Sequence, residues 1–385
     1  MTRQSNLRRF LEGLNRRRKK GKPAGETLFR ASQRQLVWWR FKKHTLARVA
    51  LFVLSVLYLV AAFCEFFSPN DPLQRNAQYS SAPPMIIHFY DPQTGLQLRP
   101  FLYGTTQSRD PSSFRMVYLP DTTQKYPIKF FFHASSYKMW GVFPSDVHLF
   151  GIDGSPLFLL GTDNLGRCLL SRIFYAARIS LTLGLLGVFI SFILGLILGG
   201  ISGYFGGRVD GVIQRTIDVF IAIPAIPLWM ALAASLPKGW SQLQVYFAIT
   251  IILSIMGWTT LARVVRGKLL SLREEDYVLA ARLYNANEWR IITAHLLPAF
   301  TSYIIVSLTL AIPNMILGET ALSFLNIGLR PPTISWGVML QDSQNLITVA
   351  QTPWLLWPCA FVIVTVLMFN FLGDGLRDAA DPYGK

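Results

Sequence analysis

The chain has 385 residues, 51% hydrophobic and only 15% charged, with a formal net charge of +16. This balance excludes an ordinary soluble domain and marks a polytopic membrane protein. Cysteine is limited to Cys64, Cys168 and Cys359 without a CxxC, and the five histidines are scattered without HExxH, so no metal site is expected.

Residues 1–44 form a basic arm. Arg3, Arg8, Arg9, Arg16, Arg17, Arg18, Lys19, Lys20, Lys22, Arg30, Arg34, Arg40, Lys42 and Lys43 stand against Glu12 and Glu26 alone. Its basic region is too long for a cleavable signal. Beside a membrane span it favours anionic lipid over nucleic acid. The piece around residues 5–18 is amphipathic, with Phe10, Leu11 and Leu14 able to lie on lipid; a disordered tail is the alternative.

The first span is predicted over 45–66, and an external insert with its junction over 67–178. The runs Met85–Tyr90 and Tyr126–Phe132 predict strands, punctuated by Asp91-Pro92, Thr94-Gly95 and Asp153-Gly154. The insert either meets an external partner or packs over the pore mouth. The junction Gly161, Thr162, Asp163, Gly166 and Arg167 reads as a polar loop with two glycines. It feeds an amphipathic helix carrying Arg167, Arg172 and Arg178, which enters the second span. Cys64 and Cys168 can both face the outer side, so a disulfide between them is conceivable.

Five further spans are predicted in a core over 179–373: 179–205, 212–236, 243–262, 296–324 and 353–373. Gly195, Gly199 and Gly203 recur at the four-residue interval that lets helix backbones approach. Pro224 and Pro227 interrupt the third span and Pro313 the fifth, as hinges, as path-lining breaks or as plain kinks. Pro224, Pro227, Trp229, Pro313 and Asn314 are the candidates for the substrate path. Asp218 and Glu319 fall near span ends, too shallow for a proton relay. The architecture is therefore an all-α, six-helix membrane protein with a small mixed, β-rich insert between helices one and two.

Six spans put both termini on one side. The loop between spans four and five carries Arg263, Arg266, Lys268, Arg273, Arg282 and Arg290, whereas the opposite loops hold Lys238 and Arg330. The basic arm, that loop and the tail 374–385 are thus expected to be cytoplasmic. Within the loop, 266–297, Tyr277, Ala280, Ala281 and Tyr284 follow i, i+3, i+4, i+7 and share a helical face. Such a helix is either a docking element or an amphipathic helix at the lipid surface. No GxxxxGK[ST], GxSxG or paired-carboxylate pattern occurs, so the chain reads as a passive conduit, not an enzyme, with its energy source elsewhere. A receptor or scaffold without transport is the competing class.

GTDNLGRCLLSRIFYAARISL (Gly161–Leu181), Trp258 followed by Leu261-Ala262-Arg263-Val264-Val265-Arg266-Gly267, Glu319–Leu325 with Pro331-Pro332 and Ser335-Trp336-Gly337, and Asn370–Pro382 resemble dipeptide and oligopeptide ABC-importer permeases. The long basic arm and the enlarged insert resemble most closely the YejE-type branch, linked to peptides including microcin C. The resemblance implies a type I importer bundle in the bacterial inner membrane. It also implies a paralogous permease partner in a heterodimer, cytosolic ATPase domains, a periplasmic peptide-binding protein, a peptide substrate and no cofactor. The loop is similar to the family's coupling segment, which assigns ATPase contact to Asp276, Tyr277, Ala280, Ala281, Arg282, Tyr284, Asn285 and Arg290. Four departures stand out. Leu279 replaces the usual Glu, Asn285 and Asn326 replace usual glycines, and Cys168 replaces a usual Asp. Asn is the next-best residue for a left-handed backbone, so the turn at Asn285 is expected to survive, while Asn326 and Cys168 weaken the resemblance at their own positions.

Overall fold

The computed structural model describes residues 33–91, 95–109, 111, 116–296 and 300–380. The amphipathic piece expected around 5–18 lies outside them. Helix α1 (Gln33–Lys43) leads through His44, whose Nδ1 accepts the Ala47 amide at 3.1 Å, into α2 (Thr45–Ala62) and the short α3 (Cys64–Phe67). Residues 33–43, the last part of the expected basic arm, are therefore helical.

The insert contains two antiparallel sheets. One runs β1 (His88–Asp91), β2 (Gly95–Arg109), β3 (Met116–Pro127); the other pairs β4 (Lys129–Met139) with β5 (Phe143–Gly151). The single strand expected over 126–132 is split between the sheets. Ile128 turns the chain from β3 to β4 and is buried with Leu102, Ile152 and Leu157.

Helix α4 (Leu169–Phe205) begins ten residues before the predicted second span. At 1.5 Å per residue, its 37 residues extend about 55 Å, well beyond the roughly 30 Å hydrocarbon layer. Helices α5 (Gly207–Ala222) and α6 (Ala225–Ala234) occupy the stretch predicted as the third span but are bent by 88° at their junction. The physical cause is Pro224. It disfavours helix at the preceding residue, and Ile223 is extended with ψ 126°. Pro227 falls in the first turn of α6, where its missing N–H is harmless.

Helix α7 (Gln242–Leu272) starts from a capping box between Ser241 and Gln244 and runs ten residues past its predicted end. The short α8 (Asp276–Leu283) follows, and then α9 (Thr301–Phe324), which is continuous through Pro313; the expected interruption there is absent. A buried turn, α10 (Trp336–Leu340), precedes α11 (Trp357–Ala380). The expected tail from 374 is thus helical to Ala380. It packs on the start of α2, where Phe41, Ala47 and Ala379 form a small core.

Among the described residues, five helices are long and apolar enough to cross a membrane, or six if the bent pair is one span. The main core lies where α4 meets α7, α9 and α11, around Ile173, Leu181, Leu253, Ile316 and Trp336. Cys64 and Cys168 are buried free thiols. Their sulfurs face Glu65 Oε2 (3.6 Å) and the Leu157 carbonyl (3.5 Å), so they do not pair.

Candidate functional site

The loop after α7 is anchored by one face and open on another. Val278 is fully buried with Val265, Leu269, Ile291, Leu296 and Phe300, and Ala281 and Ala286 pack against that cluster. The α8 helix ends in a Schellman turn. Asn285 sits at φ +56°, and the Ala286 amide donates to Ala281 O at 3.0 Å. Asn326 does the same after α9 at φ +60°, with Ile327 N donating to Leu322 O at 3.0 Å. Both positions therefore have the backbone that a glycine would adopt.

The expected face divides. Tyr277 and Ala280 are exposed, Ala281 turns partly inward, and Tyr284 lies beyond the helix in the turn. The most open large apolar groups are Leu283 (87%) and Tyr284 (89%), with Tyr277 and Leu279 about half open. Leu279 and Leu283 were not in the helical pattern, and Val278, the anchor, was missed with them. Asp276, Asn285 and Arg290 are exposed at the rim. Arg282 lies within α8.

Two acid–arginine links tie α5 to the same end of α7. Arg266 grips Asp210 through Nε to Oδ1 and Nη2 to Oδ2, each at 2.5 Å, and Ser202 also donates to Asp210 Oδ1 at 2.5 Å. Arg263 pairs with Asp218. These links join α5 to the end of α7 on which Val278 of the loop packs.

The path candidates fall in two places. Asn314 and Met315 line a cavity of about 370 Å³ between α4, α7 and α9, with Ser191, Thr260 and Ser307. Asn314 is exposed there, whereas Pro313 is buried in the helix interior. Pro224 and Pro227 instead stand exposed at the bend, and Trp229 leans on α9 beside Gly318. Only Ile217 and Ala233 are buried in the whole of α5 and α6, leaving Val212, Val219, Ile221 and Ile226 open.

At the other end, the junction is a buried knot. The Thr162 hydroxyl donates to Tyr79 O (2.5 Å) and accepts the Ala82 amide (2.7 Å), and Trp354 Nε1 donates to Thr162 O (3.0 Å). Gly161 and Gly166 adopt positive φ; a Cβ at Gly166 would lie 1.9 Å from Asn76 O. Asp163 is fully buried and accepts from Arg167 and Arg172. Arg167 precedes α4 rather than belonging to it.

Glu319 lies near the end of α9, as expected, but it does not face solvent. It is wholly buried, accepting from Ser335 Oγ (2.7 Å), Ser323 Oγ (2.8 Å) and Ser180 Oγ (3.3 Å). Those hydroxyls in turn accept the amides of Val338, Leu329 and Trp336. One carboxyl thus fixes α9 to α4 and to the loop through α10. Its Ser-rich company in sequence, Ser323 and Ser335, was the available signal.

The family described as binding-protein-dependent transport system inner membrane component matches residues 191–383. The chain belongs to this family. The N-terminal TM domain of oligopeptide transport permease C also matches, over residues 32–84. The dipeptide transport system permease protein DppC of Bacillus subtilis is 31% identical over 353 residues, covering 91% of this chain and 86% of that protein. DppC of Lactococcus lactis is 32% identical, covering 90% of each. The oligopeptide permease OppC of Bacillus subtilis is 39% identical over 223 residues, covering 58% of this chain and 70% of that protein. This permease is accordingly a multi-pass membrane component of an ABC importer, and ATP hydrolysis belongs to separate subunits. ATPase subunits and a substrate-binding protein are its partners.

Proposed function

We propose that this permease moves peptides from the periplasm to the cytoplasm and receives the force of ATP hydrolysis through residues 276–290. The carrying observation is the open apolar group Leu283 and Tyr284 beside Tyr277, on a loop otherwise pinned by Val278. Large apolar side chains standing free on a short polar loop fit a groove on a partner. Asp276, Asn285 and Arg290 supply polar register at the rim. Because α7 runs unbroken from this loop into the bundle and holds α5 through Arg263 and Arg266, a push on the loop moves the bent span.

A paralogous second permease covers the open faces of α5 and α6 in this reading, forming a heterodimer with the path between them near Pro224, Pro227 and Trp229. The Lys and Arg distribution supports a bacterial inner-membrane orientation with both termini cytoplasmic. The peptide names of the relatives support the cargo class. The basic arm and enlarged insert support the narrower YejE-type, microcin C-like cargo, which sensitivity of cells to that antibiotic would test.

The deciding experiment is capture of the tagged permease from mild detergent, followed by ATP-driven uptake of a labelled short peptide in vesicles. Leu283→Asp with Tyr284→Asp is expected to reduce ATPase co-purification and uptake about tenfold or more, the loss of one interface hot spot. The second permease should remain bound. Undiminished ATPase recovery with the double variant would remove the loop from coupling; recovery of no ATPase with the wild type would remove the importer reading.

A further inference from the structure

The turn joining β4 to β5 carries Trp140 at φ +51° followed by Gly141 at φ +76°, closed by the Val142 amide donating to Met139 O at 3.0 Å. Two consecutive left-handed residues suit this hairpin turn, but the first is normally Asn, Asp or Gly. A bulky residue in that region is an outlier that surrounding contacts must hold. Here the indole Nε1 donates to Ala62 O, the last residue of α2, at 2.7 Å, and its ring centroid lies 5.4 Å from that of Phe63. Arg178 meets the same helix end, donating to Ala61 O (3.0 Å) and Ala62 O (2.9 Å) and pairing with Glu65 at 2.5 Å. The hairpin is thus fastened where a membrane span ends.

Yet Trp140 remains 53% exposed, and its neighbours Val142 and Phe143 are 68% and 60% exposed. Along α2, Leu46, Val49, Phe52, Val56 and Leu59 are also open, at three- and four-residue intervals that define one face. The next position on that open face is Phe63, whose ring meets that of Trp140. A continuous apolar strip therefore runs from the span into the hairpin tip. An indole suits the boundary between hydrocarbon and water, and Lys138, two residues before it, is exposed and suits the phosphate level.

We propose that the β4–β5 tip, Trp140, Val142 and Phe143, inserts into the phospholipid headgroup layer beside α2 and anchors the insert to the bilayer. The proposal rests on the membrane position of α2 and is independent of the cargo.

The test uses the full chain in its assembled transporter, with Cys359→Ser and Val142→Cys carrying an environment-sensitive fluorophore. It is reconstituted in phosphatidylethanolamine and phosphatidylglycerol vesicles containing nitroxide lipids. Cys64 and Cys168 are buried, and position 142 touches no hydrogen bond of the indole. The label should emit to the blue of one at Leu98→Cys, on β2, which is 98% exposed. A nitroxide near the headgroup should quench it roughly twofold more than one near the chain end, matching an anchor about 5–10 Å deep. A water-like, unquenched label at position 142 would overturn the proposal. So would a blue shift without lipid quenching, which would assign the tip to a protein partner instead.

Discussion

Asp163→Ala is expected to destabilise the permease by about 3–5 kcal/mol, the usual effect of removing one member of a buried ion pair. Asp163 has no exposed surface, and both carboxylate oxygens are used. Oδ1 accepts the amides of Leu165 and Arg167 at 2.9 Å each, and Oδ2 accepts Arg167 Nε at 2.7 Å and the Arg172 guanidinium. Arg172 is only 3% exposed, and its Nε has no hydrogen-bond partner among the described residues. Without Asp163 the guanidinium would remain buried and largely uncompensated. Asp342 is the nearest substitute, but burial holds its carboxyl above the ordinary value even with Arg172 drawing it down. The loss also reaches beyond the charges, because Asp163 shapes the loop whose Gly161 and Thr162 meet Trp354 and Ala82. Thermal unfolding in detergent should fall by roughly 10 °C. A variant that melts with the wild type would mean that the junction is wet and open rather than a buried knot.

The core of this fold was legible because the membrane simplifies the pattern. Apolar runs marked the spans, the four-residue glycine interval marked close helix contact, and Asn285 was readable as a turn because few other residues tolerate that backbone; the matching turn at Asn326 was not read. The ends of helices were not legible. Hydropathy detects the part of a helix in hydrocarbon, whereas residues 169–178 and 263–272 continue helically into polar surroundings with arginines paired to Asp163, Glu65, Asp218 and Asp210. Periodicity also left the orientation of α8 unread. It registers apolar spacing but not which apolar stripe meets the body, so Val278 was overlooked while Ala281 was assigned outward. The burial of Glu319 was not read for a related reason: it comes from α10 and the preceding loop folding back over the end of α9, a tertiary event that periodicity does not register and that only Ser323 and Ser335 hinted at.

Gly199→Leu is expected to have the other large effect, at least about 3 kcal/mol, through overpacking that backbone atoms cannot relieve. A Cβ at Gly199 would lie 2.5 Å from Ala262 O and 2.8 Å from Ala262 Cα. At Gly203 it would lie 2.8 Å from Arg266 O, and at Gly195 3.0 Å from Trp258 O. Helices α4 and α7 thus touch backbone to backbone over two turns. Farther along the pair, Ser254 Oγ donates to Gly187 O at 3.0 Å and Ser191 Oγ to Ser254 O at 3.1 Å. Separating them would displace Arg263 and Arg266, and with them the loop around Val278. Peptide uptake should therefore fall more steeply than recovery of the folded protein. Gly200 supplies the control: it is the next residue of the same helix, but a Cβ there meets nothing within 4 Å. Gly200→Ala should be neutral or more stable by up to about 1 kcal/mol from helix propensity. Size-exclusion profiles and melting temperatures of the two variants decide the matter. Equal behaviour of Gly199→Leu and Gly200→Ala would show that α4 and α7 do not pack through this glycine face.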